Sequence, residues 1–211
     1  MPELPEVETT RRGVEPYSRG CTVESLNVRE PRLRWPVPED LGARLQGQVI
    51  REVERRAKYL LFHTANGSLM VHLGMSGSLR VMDPSEPLLR HDHVEIRMRE
   101  GHSLRFNDPR RFGCVLWISP GEVHPLLSHL GPEPLSDAFD GDYLYARSRG
   151  RKAPVKALVM DGKVVVGVGN IYANEALFLS GIRPARAAGR VSRARYASLA
   201  ENIKQVLTSA I

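Results

Sequence analysis

Apolar and polar positions alternate with a short period through the first half of the chain and with a helical period through its last third. Residues 49–63 begin as a polar/apolar alternation and run into Tyr59-Leu60-Leu61-Phe62. Residues 68–73, 78–82, 93–98, 104–106 and 115–118 are short, β-branched or alternating, so strands are predicted throughout about 21–118. Most of these segments are separated by turn residues such as Asn66-Gly67 and Glu100-Gly101. Many short strands at close spacing predict a sandwich or barrel rather than βαβ units. Beyond Gly131-Pro132-Glu133-Pro134-Leu135 the period changes, and helices are predicted over 140–147, 154–160, 171–180 and 192–211. The last of these carries Tyr196, Leu199, Ile203 and Leu207 on one stripe behind a Ser192 cap. One more short helix is predicted at the start, over about 5–12. Pro5 suits its first position, Glu6 and Glu8 its N-terminus, Arg11 and Arg12 its C-terminus, and Gly13 its cap. The pattern predicts an α+β chain of two domains, residues 1–131 and 132–211, with the Gly-Pro-Glu-Pro stretch as the boundary.

A length of 211 residues is enough to bury a real core. No apolar run approaches the ~20 residues of a membrane span, and the acidic first helix argues against a targeting peptide, so the cytoplasm is the expected location. Cys21 and Cys114 lie far apart and match neither a disulfide framework nor a metal knuckle, so buried small apolar residues are expected there. Thirty Lys and Arg against 24 Asp and Glu give a net charge of +6, compatible with a polyanionic partner, nucleic acid first.

The start of the chain, Met1-Pro2-Glu3-Leu4-Pro5-Glu6, carries candidate chemistry. Removal of Met1 would make Pro2 a free secondary amine, able to attack an electrophilic sugar or carbonyl carbon and form an iminium ion. Glu3 beside it could move protons. The plain alternative is a frayed terminus, but a helix starting at Pro5 would hold Pro2 and Glu3 to a folded body.

Four other segments bear on function. Met75 stands in a Gly-flanked turn, His72-Leu73-Gly74-Met75-Ser76-Gly77, where it either wedges between base pairs or folds back on the core. Asn107-Asp108-Pro109-Arg110-Arg111-Phe112-Gly113 presents two arginines and a phenylalanine at a loop tip, suited to base edges, phosphates and a vacated stack. Lys58, in a basic run entering an apolar strand, either holds a phosphate and assists proton movement or guards a strand edge. Val166-Gly167-Val168-Gly169-Asn170 leads into a helix whose first N–H groups would form an anion site, or is an unremarkable connection; its glycine spacing is not that of a dinucleotide fold. His91-Asp92-His93 lacks a third ligand and is expected to form a hydrogen-bond network, not a metal site.

Taken together, Pro2-Glu3-Leu4-Pro5-Glu6-Val7-Glu8, Arg56-Ala57-Lys58-Tyr59-Leu60, the His72–Gly77 and Asn107–Gly113 segments, Leu130-Gly131-Pro132-Glu133-Pro134-Leu135 and Val166-Gly167-Val168-Gly169-Asn170-Ile171-Tyr172 resemble the formamidopyrimidine-DNA glycosylase family, in family order and along almost the whole chain. The resemblance implies an N-terminal β-sandwich bearing the first helix, followed by a helix–two-turn–helix domain. It implies base-excision repair of duplex DNA containing oxidised purines (8-oxoguanine and formamidopyrimidines), with strand cleavage by β,δ-elimination. By that likeness Pro2 is the nucleophile, Glu3 its acid/base partner and Lys58 part of the catalytic set. Lys58 and Asn170 hold phosphates around the everted nucleotide, and Glu175 lies near the lesion base. Met75, Arg110 and Phe112 fill the vacated stack, with Arg110 facing the orphaned cytosine. Arg111 contacts the backbone, and His72 and Lys156 are further DNA contacts. Family members normally continue into a four-cysteine zinc finger that has no counterpart in these 211 residues, so no zinc or other cofactor is expected in this chain, and a monomer is expected. The sister specificity for oxidised pyrimidines, of the endonuclease VIII type, and a non-catalytic damaged-DNA-binding remnant are the competing functions.

Overall fold

The computed structural model describes residues 2–211; the expected trimming of Met1 lies outside the described residues. The chain forms two compact units, Pro2 with Glu6–His124, and Glu3–Pro5 with Pro125–Ile211. The first helix, α1 (Leu4–Val14), carries Glu6 in its first turn and Arg11 and Arg12 in its last, the charge order a helix dipole favours.

Two four-stranded antiparallel sheets make up the first unit. One runs β1 (Val23–Val28), β6 (Asp92–Met98), β7 (Ser103–Asn107), β5 (Ser78–Met82); the other runs β2 (Glu52–Arg56), β3 (Tyr59–Thr64), β4 (Gly67–His72), β8 (Cys114–Ile118). Val23, Ile96, Leu104 and Phe106 of the first sheet share one buried cluster with Val53, Phe62, Leu69, Val71 and Val115 of the second, together with Val7 of α1. Apolar faces of both sheets thus close on each other as a sandwich.

Two expectations are corrected here. The alternation over 49–63 is not one strand but a hairpin: Arg56 pairs with Tyr59, leaving Ala57 and Lys58 as a two-residue turn with Ala57 at φ 55°. The turn has neither Gly nor Asn, so the usual hairpin signature is missing and the period passes through unbroken. Lys58 consequently stands at a hairpin tip, not within a strand. The second correction is a one-turn helix, α2 (Leu41–Leu45), inside the stretch read as strands, which buries Leu41 and Leu45 in the sandwich.

Helices α3 (Gly141–Ser148), α4 (Val155–Met160), α5 (Asn170–Leu179) and α6 (Arg193–Ala210) form the second unit, each within a residue or two of the predicted spans. Asp140 caps α3 by accepting from the Tyr143 N–H, and Ser192 caps α6 by accepting from the Arg195 N–H. The predicted stripe of Tyr196, Leu199, Ile203 and Leu207 is fully buried against Leu144, Val155, Tyr172 and Leu177, and Leu4 belongs to the same cluster. Among the described residues, no helix is long and apolar enough to cross a membrane.

Candidate active site and DNA interface

Glu3 is 2% exposed. The Gly169 N–H donates to its Oε2 at 2.8 Å, the Ile171 N–H to its Oε1 at 2.9 Å and the Tyr172 N–H to its Oε2 at 3.3 Å. The Leu4 N–H donates to the Gly167 carbonyl at 3.0 Å, which ties the start of α1 to the turn before α5. These are the unsatisfied donors every helix start presents, and a carboxylate is the group they suit. Gly169 is required because a Cβ there would lie 2.6 Å from Glu3 Oε1. The expectation of an anion site at this helix start is therefore corrected in one respect: its occupant is the chain's own Glu3. Asn170, the first residue of α5, stays exposed beside it, and Glu175 is exposed further along the same helix. Pro2, next to Glu3, is half-buried, and Lys156 is half-buried in the first turn of α4.

In the sandwich the structure brings together the Met75 turn and the Arg110–Phe112 loop. Gly74, at φ 64°, lies against the backbone of the second loop, where a Cβ would sit 2.5 Å from the Phe112 carbonyl carbon. The Ser76 hydroxyl donates to Asp108 Oδ1 at 2.7 Å, and the Arg110 N–H donates to that hydroxyl oxygen at 3.2 Å. Asp108 is buried; its Oδ2 accepts the Gly113 N–H at 2.8 Å, and its carbonyl accepts from His93 Nε2 at 2.7 Å. The apolar tips stand out from this base: Met75 is 43% exposed and Phe112 41%. The Arg110 guanidinium lies 4.6 Å from the centre of the Phe112 ring, a cation–π contact that arrays the two side chains together. Arg111 adopts φ 56° and reaches Glu30 Oε2 at 3.4 Å. The reading in which Met75 folds back on the core does not hold.

Asp108, Ser76 and His93 escaped the sequence reading as parts of the site. The available signal was an acidic residue opening an Asp-Pro turn with a buried strand on either side.

His72 closes β4, its ring centre 4.8 Å from that of Tyr59. Its Nδ1 accepts the Gly74 N–H at 3.0 Å. Burial, followed by the positive charges of Lys58 and Arg34, pushes its pKa down to about 4 against an opposing pull from Asp108. His72 is thus a neutral imidazole with its proton on Nε2, facing away from the bond that fixes it.

The cysteines are both buried and unbonded to each other, and burial pushes the Cys114 thiol up to about 11. Asp92, in the His91-Asp92-His93 segment, accepts from Arg80, Asn107 and the Leu89 N–H, the hydrogen-bond network expected there. Among the described residues, no group of three or more His, Cys, Asp or Glu side chains could hold a metal ion. The four-thiolate zinc of the resembled family has no fitting donor set here.

Family models agree with these features. That of the formamidopyrimidine-DNA glycosylase N-terminal domain matches residues 1–115, and that of the formamidopyrimidine-DNA glycosylase H2TH domain matches residues 130–211. A formamidopyrimidine-DNA glycosylase of Stenotrophomonas maltophilia is 61% identical over 211 residues, which is 100% of this chain and 78% of that protein. The Lactococcus lactis glycosylase, solved non-covalently bound to DNA with an AP site, superimposes with a TM-score of 0.92 at 32% identity, covering 99% of this chain and 81% of that one. A mutant of the same enzyme bound to DNA containing Fapy-dG gives a TM-score of 0.93 at 33% identity, over 100% of this chain and 78% of that one. Sandwich, helical unit and loops together are those of a DNA glycosylase of the base-excision repair class. Within that class the chain belongs to the formamidopyrimidine-DNA glycosylase family.

Proposed function

We propose that this protein removes oxidised purines from duplex DNA and then cuts the strand at the vacated sugar, with Pro2 as the nucleophile. The observation that carries the reading is the seating of the terminus: Glu3 buried against the start of α5 leaves its neighbour Pro2 held to a folded body instead of fraying.

A base inside a duplex cannot be reached, so it is turned out of the stack at a cost of a few kcal/mol. Met75 and Phe112 offset that cost by filling the space, and Arg110, aligned over Phe112, meets the orphaned cytosine. The unprotonated Pro2 nitrogen attacks C1′, and the glycosidic bond breaks with its electron pair leaving on the base, which takes up a proton. The amine proton is lost and the sugar ring opens at O4′, giving an iminium between Pro2 and C1′. Glu3 is the acid/base partner in these transfers, and Lys58 assists the later proton movements. The iminium acidifies C2′; loss of that proton expels the 3′ phosphate, a second elimination expels the 5′ phosphate, and water releases Pro2. Lys58, Asn170, Arg111, His72 and Lys156 hold the DNA backbone, and Glu175 lies by the lesion base. The protein acts as a monomer on duplex DNA in the bacterial cytoplasm.

Borohydride is expected to trap a covalent adduct between the protein and a duplex carrying 8-oxoguanine opposite cytosine, and Pro2→Gly to abolish most of it. An undiminished adduct in Pro2→Gly would remove Pro2 from the nucleophile's role, and lesion binding without any nicking by the unaltered protein would leave a recognition module only.

A further inference from the structure

Two loops meet at one carboxylate. Asp108 is fully buried, and three hydrogen bonds hold its main chain: its N–H donates to the His91 carbonyl at 3.1 Å, and its carbonyl accepts from His93 Nε2 and from the Arg111 N–H at 3.2 Å. With the backbone fixed in this way, the carboxylate has one oxygen for each loop. Oδ2 accepts the Gly113 N–H and closes the Arg110–Phe112 loop on itself, while Oδ1 accepts the Ser76 hydroxyl from the Met75 turn. A Cβ on residue 113 would lie 2.4 Å from the His72 carbonyl oxygen, so the loop end also runs flush against the end of β4.

The Ser76 hydroxyl does more than satisfy Asp108. Its proton is committed to the buried carboxylate at 2.7 Å, which leaves the oxygen's lone pairs free, and the Arg110 N–H donates to that oxygen at 3.2 Å. Among the described residues, the Arg110 N–H has no other acceptor. Ser76 follows Met75 in the chain, and Arg110 is the residue whose guanidinium lies over Phe112. One hydroxyl thus joins the turn that carries the exposed methionine to the main chain that carries the arginine.

We infer that Ser76 and Asp108 are positioning residues. They clasp the Met75 turn to the Arg110–Phe112 loop, so that entry into the stack and reading of the opposite base occur as one event, and the preference for cytosine opposite the lesion passes through the Ser76 hydroxyl. The inference rests on the proposed role of Arg110 at the orphaned cytosine and adds the residues through which that role is set.

The test compares single-turnover excision of 8-oxoguanine opposite cytosine and opposite adenine. Both rates are read on one preparation, so any loss of folded protein cancels from their ratio. Ser76→Ala is expected to lower the cytosine-to-adenine ratio about tenfold, within what one arginine–base contact is worth in discrimination, and Ser76→Thr, which keeps the hydroxyl, to hold the ratio. In an Arg110→Ala background, Ser76→Ala is expected to leave the ratio where Arg110→Ala puts it, because the hydroxyl then has no arginine to place. A merely structural role would slow both substrates alike. An unchanged ratio in Ser76→Ala, an equal fall in Ser76→Ala and Ser76→Thr, or a further fall in the Arg110→Ala background overturns the inference while leaving the proposed excision intact. Excision by the unaltered protein with no preference for cytosine overturns the inference together with the role of Arg110, and no excision at all overturns the proposed function with it.

Discussion

A methyl group on residue 169 would lie 2.6 Å from the Glu3 carboxylate. The backbone there is part of a helix start and cannot yield without giving up the N–H donors that Glu3 uses. Gly169→Ala is therefore expected to cost about 1–3 kcal/mol in urea unfolding and to reduce borohydride trapping along with it. Retention of full trapping in a folded Gly169→Ala protein would separate Glu3's seat from the chemistry. His72 makes a prediction in pH. Its pKa is near 6.5 in an unfolded chain and about 4 in the folded one. Between those values the unfolded chain binds a proton that the folded chain does not, so stability from this residue is complete above pH 6.5 and drains away as pH falls toward 4. The difference amounts to at most about 3 kcal/mol, and His72→Gln is expected to flatten that part of the stability–pH curve measured by urea unfolding. A variant with the same acid slope would show that other groups set it. At this scale the sequence was readable as far as residue types: the exposed Phe112 and the buried cysteines follow from local composition, while the exposure of Met75 was decided only by the structure. The partner of a helix start 166 residues away does not follow from local composition either, because nothing local distinguishes a Glu that caps another element from one that faces water.

Strands β6 and β7 owe their register partly to one buried pair. Glu95 stands opposite Arg105, and the Arg105 Nε–H donates to Glu95 Oε1 at 3.0 Å. Arg105, fully buried, also donates to the carbonyls of Asp83, Glu86 and Pro87 and so binds the loop after β5 over the sheet. Replacing it by Ala strips a buried carboxylate of one of its two arginines, Arg97 remaining, and leaves three carbonyls without their partner, so Arg105→Ala is expected to lose about 3 kcal/mol in urea unfolding. A loss below about 1 kcal/mol would mean that the loop opens to water at no cost. The alternation of Val94, Ile96 and Met98 marks β6 as a strand but does not reveal that its polar face is buried as well. Its side chains are buried on both faces for five successive residues, because the polar face is roofed by the loop that Arg105 holds down. The helices of the second unit were legible from a simpler pattern. A stripe such as Tyr196, Leu199, Ile203 and Leu207 meets a single apolar surface and keeps its period. The break at Ala57-Lys58 depended on tertiary context that allows an alanine a left-handed conformation.

Across the whole molecule part of the thirty basic side chains is held by neighbouring acids, and the excess of six is what remains. Glu8 alone engages Arg11, Arg12 and Arg55, and Glu95 engages Arg97 and Arg105. Arginines in no ion pair among the described residues, such as Arg51, Arg90, Arg110, Arg183 and Arg195, are spread along the chain, so each one that meets a phosphate is expected to add its own share to the salt dependence. The change from strand spacing to helical spacing was legible because each unit has its own core and hence its own period. The membership of Glu3–Pro5 in the helical unit was not, since it depends on pairing between the two ends of the sequence. That pairing has a practical corollary for anyone preparing the protein. Glu3 takes its place in α5 through its side chain and Leu4 through its backbone N–H, and neither needs a free amine ahead of Pro2. An affinity tag fused upstream would turn the proline nitrogen into a tertiary amide without disturbing either anchor, giving a folded, lesion-binding but chemically mute protein, and a purification scheme meant to preserve turnover belongs at the other end of the chain.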